Sequence, residues 1–183
     1  MGLDMYLSLI PKVDSVEELR NLEKKLTLAY FEGDFEKELN KFKKEKNFIY
    51  DISIELCDYI NKDNYKEVIE EGGSKIDLGI RIGYWRKFNA LHAWFVNNIQ
   101  SGEDDCGTYI VTERHLQLLD MELKSITKEN AGEILPTQEG FFFGGTEYDD
   151  DYFDEIEDLK ALVRYVLTQV NHRERTLVYR SSW

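Results

Sequence analysis

The chain GLDMYLSLI alternates apolar and polar positions and predicts a short N-terminal strand. Ser15 and Glu18 stand in capping-box spacing ahead of VEELRNLEKKLTLAYF, which predicts a helix broken at Gly33. FEKELNKFKKEKNFIYDISIELCDYI resumes as helix, and NKDNYKEVIEEGGSK reads as a polar helical turn and loop. In KIDLGIRIGYW, Ile76, Leu78, Ile80 and Ile82 recur at every second position, the period of one strand. YWRKFNALHAWFVNNIQ reads as helix, with Tyr84, Phe88, Leu91 and Phe95 on a core face. Thr112 caps a helix carrying Leu116, Leu119, Leu123 and Ile126. NAGEILPTQEGFFFGG is a long connection whose phenylalanines read as core under a tight glycine turn. Asp154 to Val170 is helical, striped by Ile156, Leu159, Val163, Val166 and Val170, with a start at about Asp150 to Asp154; RTLVYRSSW closes the chain as a strand. The predicted fold is α+β: a small antiparallel or mixed sheet joining both termini, packed by four to six helices.

A length of 183 residues predicts a single domain, 1–183. No apolar run approaches the ~20 residues that span a bilayer, so no membrane association is expected. The start has no basic region or cleavage site, and Tyr6 stands where a myristoylation signal needs Ser or Thr. Cys57 and Cys106 form no metal-spaced pair. A cytoplasmic protein is expected.

Charge sharpens this picture. The net charge is −13, and residues 129–159 hold eleven acids and no base. Such a field attracts basic surfaces and makes direct nucleic-acid binding unfavourable.

Three segments are candidate sites. On a helix, Trp85, Asn89, His92 and Val96 would share one face, and with Arg86 nearby they could line the pocket of a binding protein or enzyme for a nucleotide-like small molecule; amphipathic packing explains the same pattern. GEDDCG offers Asp104 and Asp105 beside Cys106, whose thiol pKa the acids would raise, making it a poor nucleophile. An acidic turn is the plain reading; metal ligation would need His92 or His115. Eight carboxylates fall between Glu147 and Asp158. Their order fits neither a calcium loop nor a phosphate loop. A helix start uses about half of them through capping and the helix dipole. The excess points to a partner surface: Glu147, Tyr148, Asp149, Asp150, Asp151, Tyr152, Asp154 and Glu155, extended by Asp104 and Asp105. The aromatic members would supply apolar anchors. No catalytic residue, metal site or cofactor is assigned.

The motifs at Met1 to Leu7, Tyr84 to Phe95 (YWRKFNALHAWF), Asp104 to Gly107 (DDCG), Leu135 to Asp149 and Tyr179 to Trp183 together resemble a family of small proteins from bacteria, prophages and phages. Residues 12–75 carry none of these motifs and read as a candidate helical insertion. The family carries over no catalytic residues. The resemblance extends to type II-A anti-CRISPR proteins and implies a non-enzymatic inhibitor of a basic host nuclease of the Cas9 type, whose positively charged channel a carboxylate strip can contest.

Overall fold

The computed structural model describes residues 2–47, 55–56, 60–74 and 76–183. In chain order the elements are β1 (Asp4–Pro11), α1 (Val16–Glu32), α2 (Phe35–Glu45), β2 (Glu55–Leu56), α3 (Tyr65–Glu70), β3 (Ile76–Asp77) and β4 (Ile80–Arg86). They continue with α4 (Asn89–Asn98), β5 (Thr108–Val111), α5 (Glu113–Ser125), α6 (Ala131–Ile134), α7 (Asp150–Gln169) and β6 (Arg175–Ser182). The fold is α+β. Four strands form an antiparallel sheet in the order β4-β1-β6-β5, so the first and last strands of the chain are neighbours at its centre. β5 pairs with β6, with Thr108 opposite Arg180 and Val111 opposite Leu177. β2 and β3 form a separate antiparallel pair.

Contacts divide the chain into two units. One comprises Leu9–Ile80 with Arg173–Thr176, and so contains the segment 12–75. Its α1 starts where Ser15 accepts from the Glu18 amide, while the Glu18 carboxylate accepts from the Asp14 amide, one residue earlier than a capping box requires. Gly33 ends α1 at φ 89°, a left-handed conformation that costs glycine little. Leu19, Leu26 and Ala29 of α1, Leu39 and Phe42 of α2, and Ile76 are buried.

The other unit comprises Met1–Ser8, Arg81–His172 and Leu177–Trp183. Its core joins Leu3, Met5 and Leu7 of the N-terminal segment with Leu177 and Tyr179 of β6, Leu91 and Phe95 of α4, Leu116, Leu119 and Leu123 of α5, and Ile156, Leu159, Val163 and Val166 of α7. Each such side chain contributes about 1.5–3 kcal/mol by leaving water.

Several sequence-based expectations are corrected. KIDLGIRIGYW is two strands, separated at Gly79, whose φ is 148°. The buried positions switch from Ile76 and Leu78 to Gly83 and Trp85, so the inward parity reverses. The helix from Phe35 ends at Glu45, and Glu55–Leu56 is strand; Cys57 lies outside the described residues. The helix expected from Tyr84 starts only at Asn89, because Tyr84 to Arg86 complete β4. Pairing with the N-terminal segment continues to the Lys87 amide, which donates to Leu3 O at 2.8 Å. Tyr and Trp suit a strand as well as a helix, and the sheet decides between them. Tyr84, read as core, is half exposed. Of the three phenylalanines only Phe143 is buried; Phe141 is 96% exposed.

Candidate functional site

The acidic segment begins α7. Asp149 caps the helix, its carboxylate accepting from the Tyr152 amide at 3.1 Å. Asp150 and Asp151 occupy the first turn, where the helix dipole favours negative charge. Asp150 lies 3.8 Å from Lys128, and Glu157 pairs with Lys160 at 2.7 Å. Glu147, Asp151, Asp154, Glu155 and Asp158 have no ion pair among the described residues. The last four are spaced i, i+3, i+4, i+7, which puts them on one side of the helix. They line a cleft of about 480 Å³ together with Glu147, Asp149 and Tyr152, and Arg86, Lys87 and Asn89 contribute to the same cleft. Burial pushes the pKa of Glu155 up, and repulsion from Asp158 and Asp151 adds to it.

The aromatic residues of this segment are engaged within the fold. Tyr152 is buried; its hydroxyl donates to Leu135 O at 2.8 Å, and burial pushes its pKa well up. That corrects its assignment as a partner-binding anchor. Tyr148 is partly exposed, but its hydroxyl accepts from the Thr137 amide and its ring meets Tyr152 edge to face.

The four residues expected to line a pocket are placed differently from one another. Trp85 sits on β4, with its ring packed at Gly83, where a Cβ would collide with it. The Trp85, Asn89, His92 and Val96 helical face therefore does not form. Arg86 is exposed and lies 3.3 Å from Asp4. Asn89 is buried and spends its amide on a distant loop, accepting from the Gln138 amide at 2.8 Å and donating to Phe143 O at 3.1 Å and Gly145 O at 2.7 Å. Its side chain is a clamp on residues 138–145. Only Arg86 and Asn89 of the four reach the acidic cleft.

His92 is fully buried within a polar chain. Its Nε2 lies 3.0 Å from Asp104 Oδ2 and its Nδ1 2.7 Å from the Tyr179 hydroxyl. A carboxylate only accepts, so Nε2 carries a proton, and in the neutral ring Nδ1 then accepts from the Tyr179 hydroxyl. Burial raises the Tyr179 pKa strongly, which keeps that hydroxyl a donor. The other Asp104 oxygen accepts from Trp183 Nε1 at 3.1 Å, and the Trp183 ring packs edge to face on Phe143. Asp104 thus ties α4 to the last residue of the chain. Asp105 accepts from the Gly107 amide and the Tyr109 hydroxyl. Cys106 is a free, exposed cysteine whose pKa is raised, first by partial burial and then by Asp104 and Asp105. His115 accepts from the Thr112 amide in the capping box of α5. Among the described residues, no three His, Cys, Asp or Glu side chains are grouped to hold a metal ion.

Sequence reasoning missed Lys87 and the clamp role of Asn89. Lys87 adopts φ 65°, a left-handed conformation rare outside glycine, at the junction of β4 and α4. No local pattern marks it. Comparison with protein-family models, curated proteins and solved structures gave no match. No helix among the described residues is long and apolar enough to cross a membrane.

Proposed function

We propose that this is a non-enzymatic binding protein that engages a basic surface of a host protein through the acidic side of α7. The observation that supports it is the row Glu147, Asp151, Asp154, Glu155 and Asp158, which lines an open cleft with no ion pair of its own among the described residues. Like charges held this closely repel one another, which adds to the effect of burial in raising the Glu155 pKa. An arginine-rich partner removes that repulsion on binding and pairs with carboxylates bidentately. Helical placement fixes the carboxylates in advance and lowers the ordering cost of binding. An inhibitor of a Cas9-type nuclease fits this chemistry, because such a nuclease offers a positively charged nucleic-acid channel.

The test is binding to a Cas9–guide RNA complex at two salt concentrations. Replacing Asp151, Asp154, Glu155 and Asp158 with Lys should abolish binding and inhibition while circular dichroism stays unchanged. Native binding should weaken steeply with salt. A folded quadruple variant that still binds and inhibits would overturn the reading.

A further inference from the structure

The neighbouring strands β1 and β4 carry a second cluster, of opposite character. The Tyr6 and Tyr84 rings lie 5.5 Å apart at an interplanar angle of 35°. The Arg81 guanidinium stands 4.5 Å from the centre of the Tyr6 ring. Tyr84 is 50% exposed, and its hydroxyl donates to Asp4 at 2.6 Å. Arg86 reaches the same Asp4 oxygen at 3.3 Å and stays 55% exposed. Lys87, also exposed, follows directly.

Arg81 and Tyr84 are three residues apart, yet both are exposed, while Gly83 and Trp85 are buried. Strict alternation would turn one of the two inward. The Arg81 guanidinium nonetheless lies over the Tyr6 ring of the neighbouring strand. Asp4 then fixes the Tyr84 ring and Arg86 relative to each other. Arg81 and Arg86 bring two cations close to the rings, and Lys87 follows on the strand's end, in a chain of net charge −13.

We infer that this sheet face binds single-stranded nucleic acid, with a base stacked on Tyr84 and neighbouring phosphates held by Arg81, Arg86 and Lys87. Aromatic rings on a sheet are a general platform for unpaired bases, because every base has a stacking face. Bases in a duplex are already stacked on one another and cannot use it. Arginine beside the rings supplies both phosphate pairing and cation–π contact. Arg86 and Lys87 also line the cleft of the acidic row, whose carboxylates oppose phosphate there, so Arg81 and the Tyr84 ring, which lie outside that lining, carry most of the contact. This inference does not rest on the partner proposed for the acidic row, although Arg86 and Lys87 border both sites.

The test is fluorescence anisotropy at about 0.15 M salt, using fluorescein-labelled oligouridylate and oligothymidylate of about twelve nucleotides and a duplex of equal length. The native protein should bind a single strand and prefer it to the duplex. Tyr84→Ala should weaken binding about ten- to hundredfold, and Tyr84→Phe, which keeps the ring, should retain it. Arg81→Glu should weaken binding at least about tenfold, and it decides the matter if Tyr84→Ala does not fold. The acidic-row quadruple variant should bind the strand at least as well as the native protein. Three results would each overturn the inference: no saturable binding below about 0.1 mM, equal binding of duplex, or binding that both Arg81→Glu and a folded Tyr84→Ala leave unchanged.

Discussion

His92 Nε2 donates to Asp104 Oδ2 across 3.0 Å, and His92 has no exposed surface at all. The pair joins an interior helix to the C-terminal tryptophan. His92→Ala leaves the Tyr179 hydroxyl without its acceptor and Asp104 without a donor, and opens a cavity. Together these should cost about 2–4 kcal/mol, lowering Tm by roughly 5–12 °C in a chain of this size. Asp104→Asn should cost less, about 1–2 kcal/mol, because one amide oxygen still accepts while the amide nitrogen faces a donor. Urea denaturation gives both values. Acrylamide quenching of tryptophan fluorescence should rise in Asp104→Asn as Trp183 loosens.

Asn89 holds three backbone groups of residues 138–145. Asn89→Ala should destabilise the protein by about 1–3 kcal/mol. Amide exchange should quicken locally, with the Gln138 amide, now without an acceptor, losing protection first. Unchanged exchange at Gln138 would show that the clamp does not hold the loop.

The adjacent glycines Gly144 and Gly145 should differ sharply. Gly144 has φ 92°, and a Cβ there would lie 2.9 Å from the Lys87 Cβ. Gly145 has no positive φ, and a methyl group placed on its Cα would meet no atom within 4 Å. Gly144→Ala should cost more than about 1 kcal/mol, and Gly145→Ala should fall within about 0.5 kcal/mol of native. Thermal unfolding of the two variants decides it.

The raised pKa of Glu155 makes a signed prediction. The folded state holds this proton more tightly than the unfolded chain, so ionisation of Glu155 destabilises the fold. The penalty is absent below the ordinary glutamate value of 4.5 and grows as pH rises through the folded pKa. Glu155→Gln should therefore raise Tm at neutral pH, by up to about 2 °C for a partly exposed group. It should make no such gain at acidic pH. A gain of equal size at both pH values would mean that charge is not the cause.

Some of the fold and of the site was legible because its causes are local. Ser15, Gly33 and Thr112 mark helix ends through hydrogen bonds or backbone angles within a few residues. The stripe from Ile156 to Val166 specifies the buried side of α7, and by the same periodicity places Asp151, Asp154, Glu155 and Asp158 off that side. The excess of acid over what a helix start needs was likewise visible. Other assignments depended on partners distant in the chain. Trp85 fits a helical period with Asn89 and His92 until pairing with β1 claims its backbone. Phe141, Phe142 and Phe143 are identical in sequence, and only their surroundings bury the third and expose the first. His92 and Asp104 are twelve residues apart, but their meeting with Tyr179 and Trp183 requires the last strand to lie beside the first. Tyr6 and Tyr84 became one surface because β1 pairs with β4 on its other side. Sequence by itself determined the elements whose stabilising contacts lie within a turn or a strand. Tertiary structure decided which side chains share a site, because hydrogen bonds and ring contacts over long separations depend on sheet order, which no local pattern encodes.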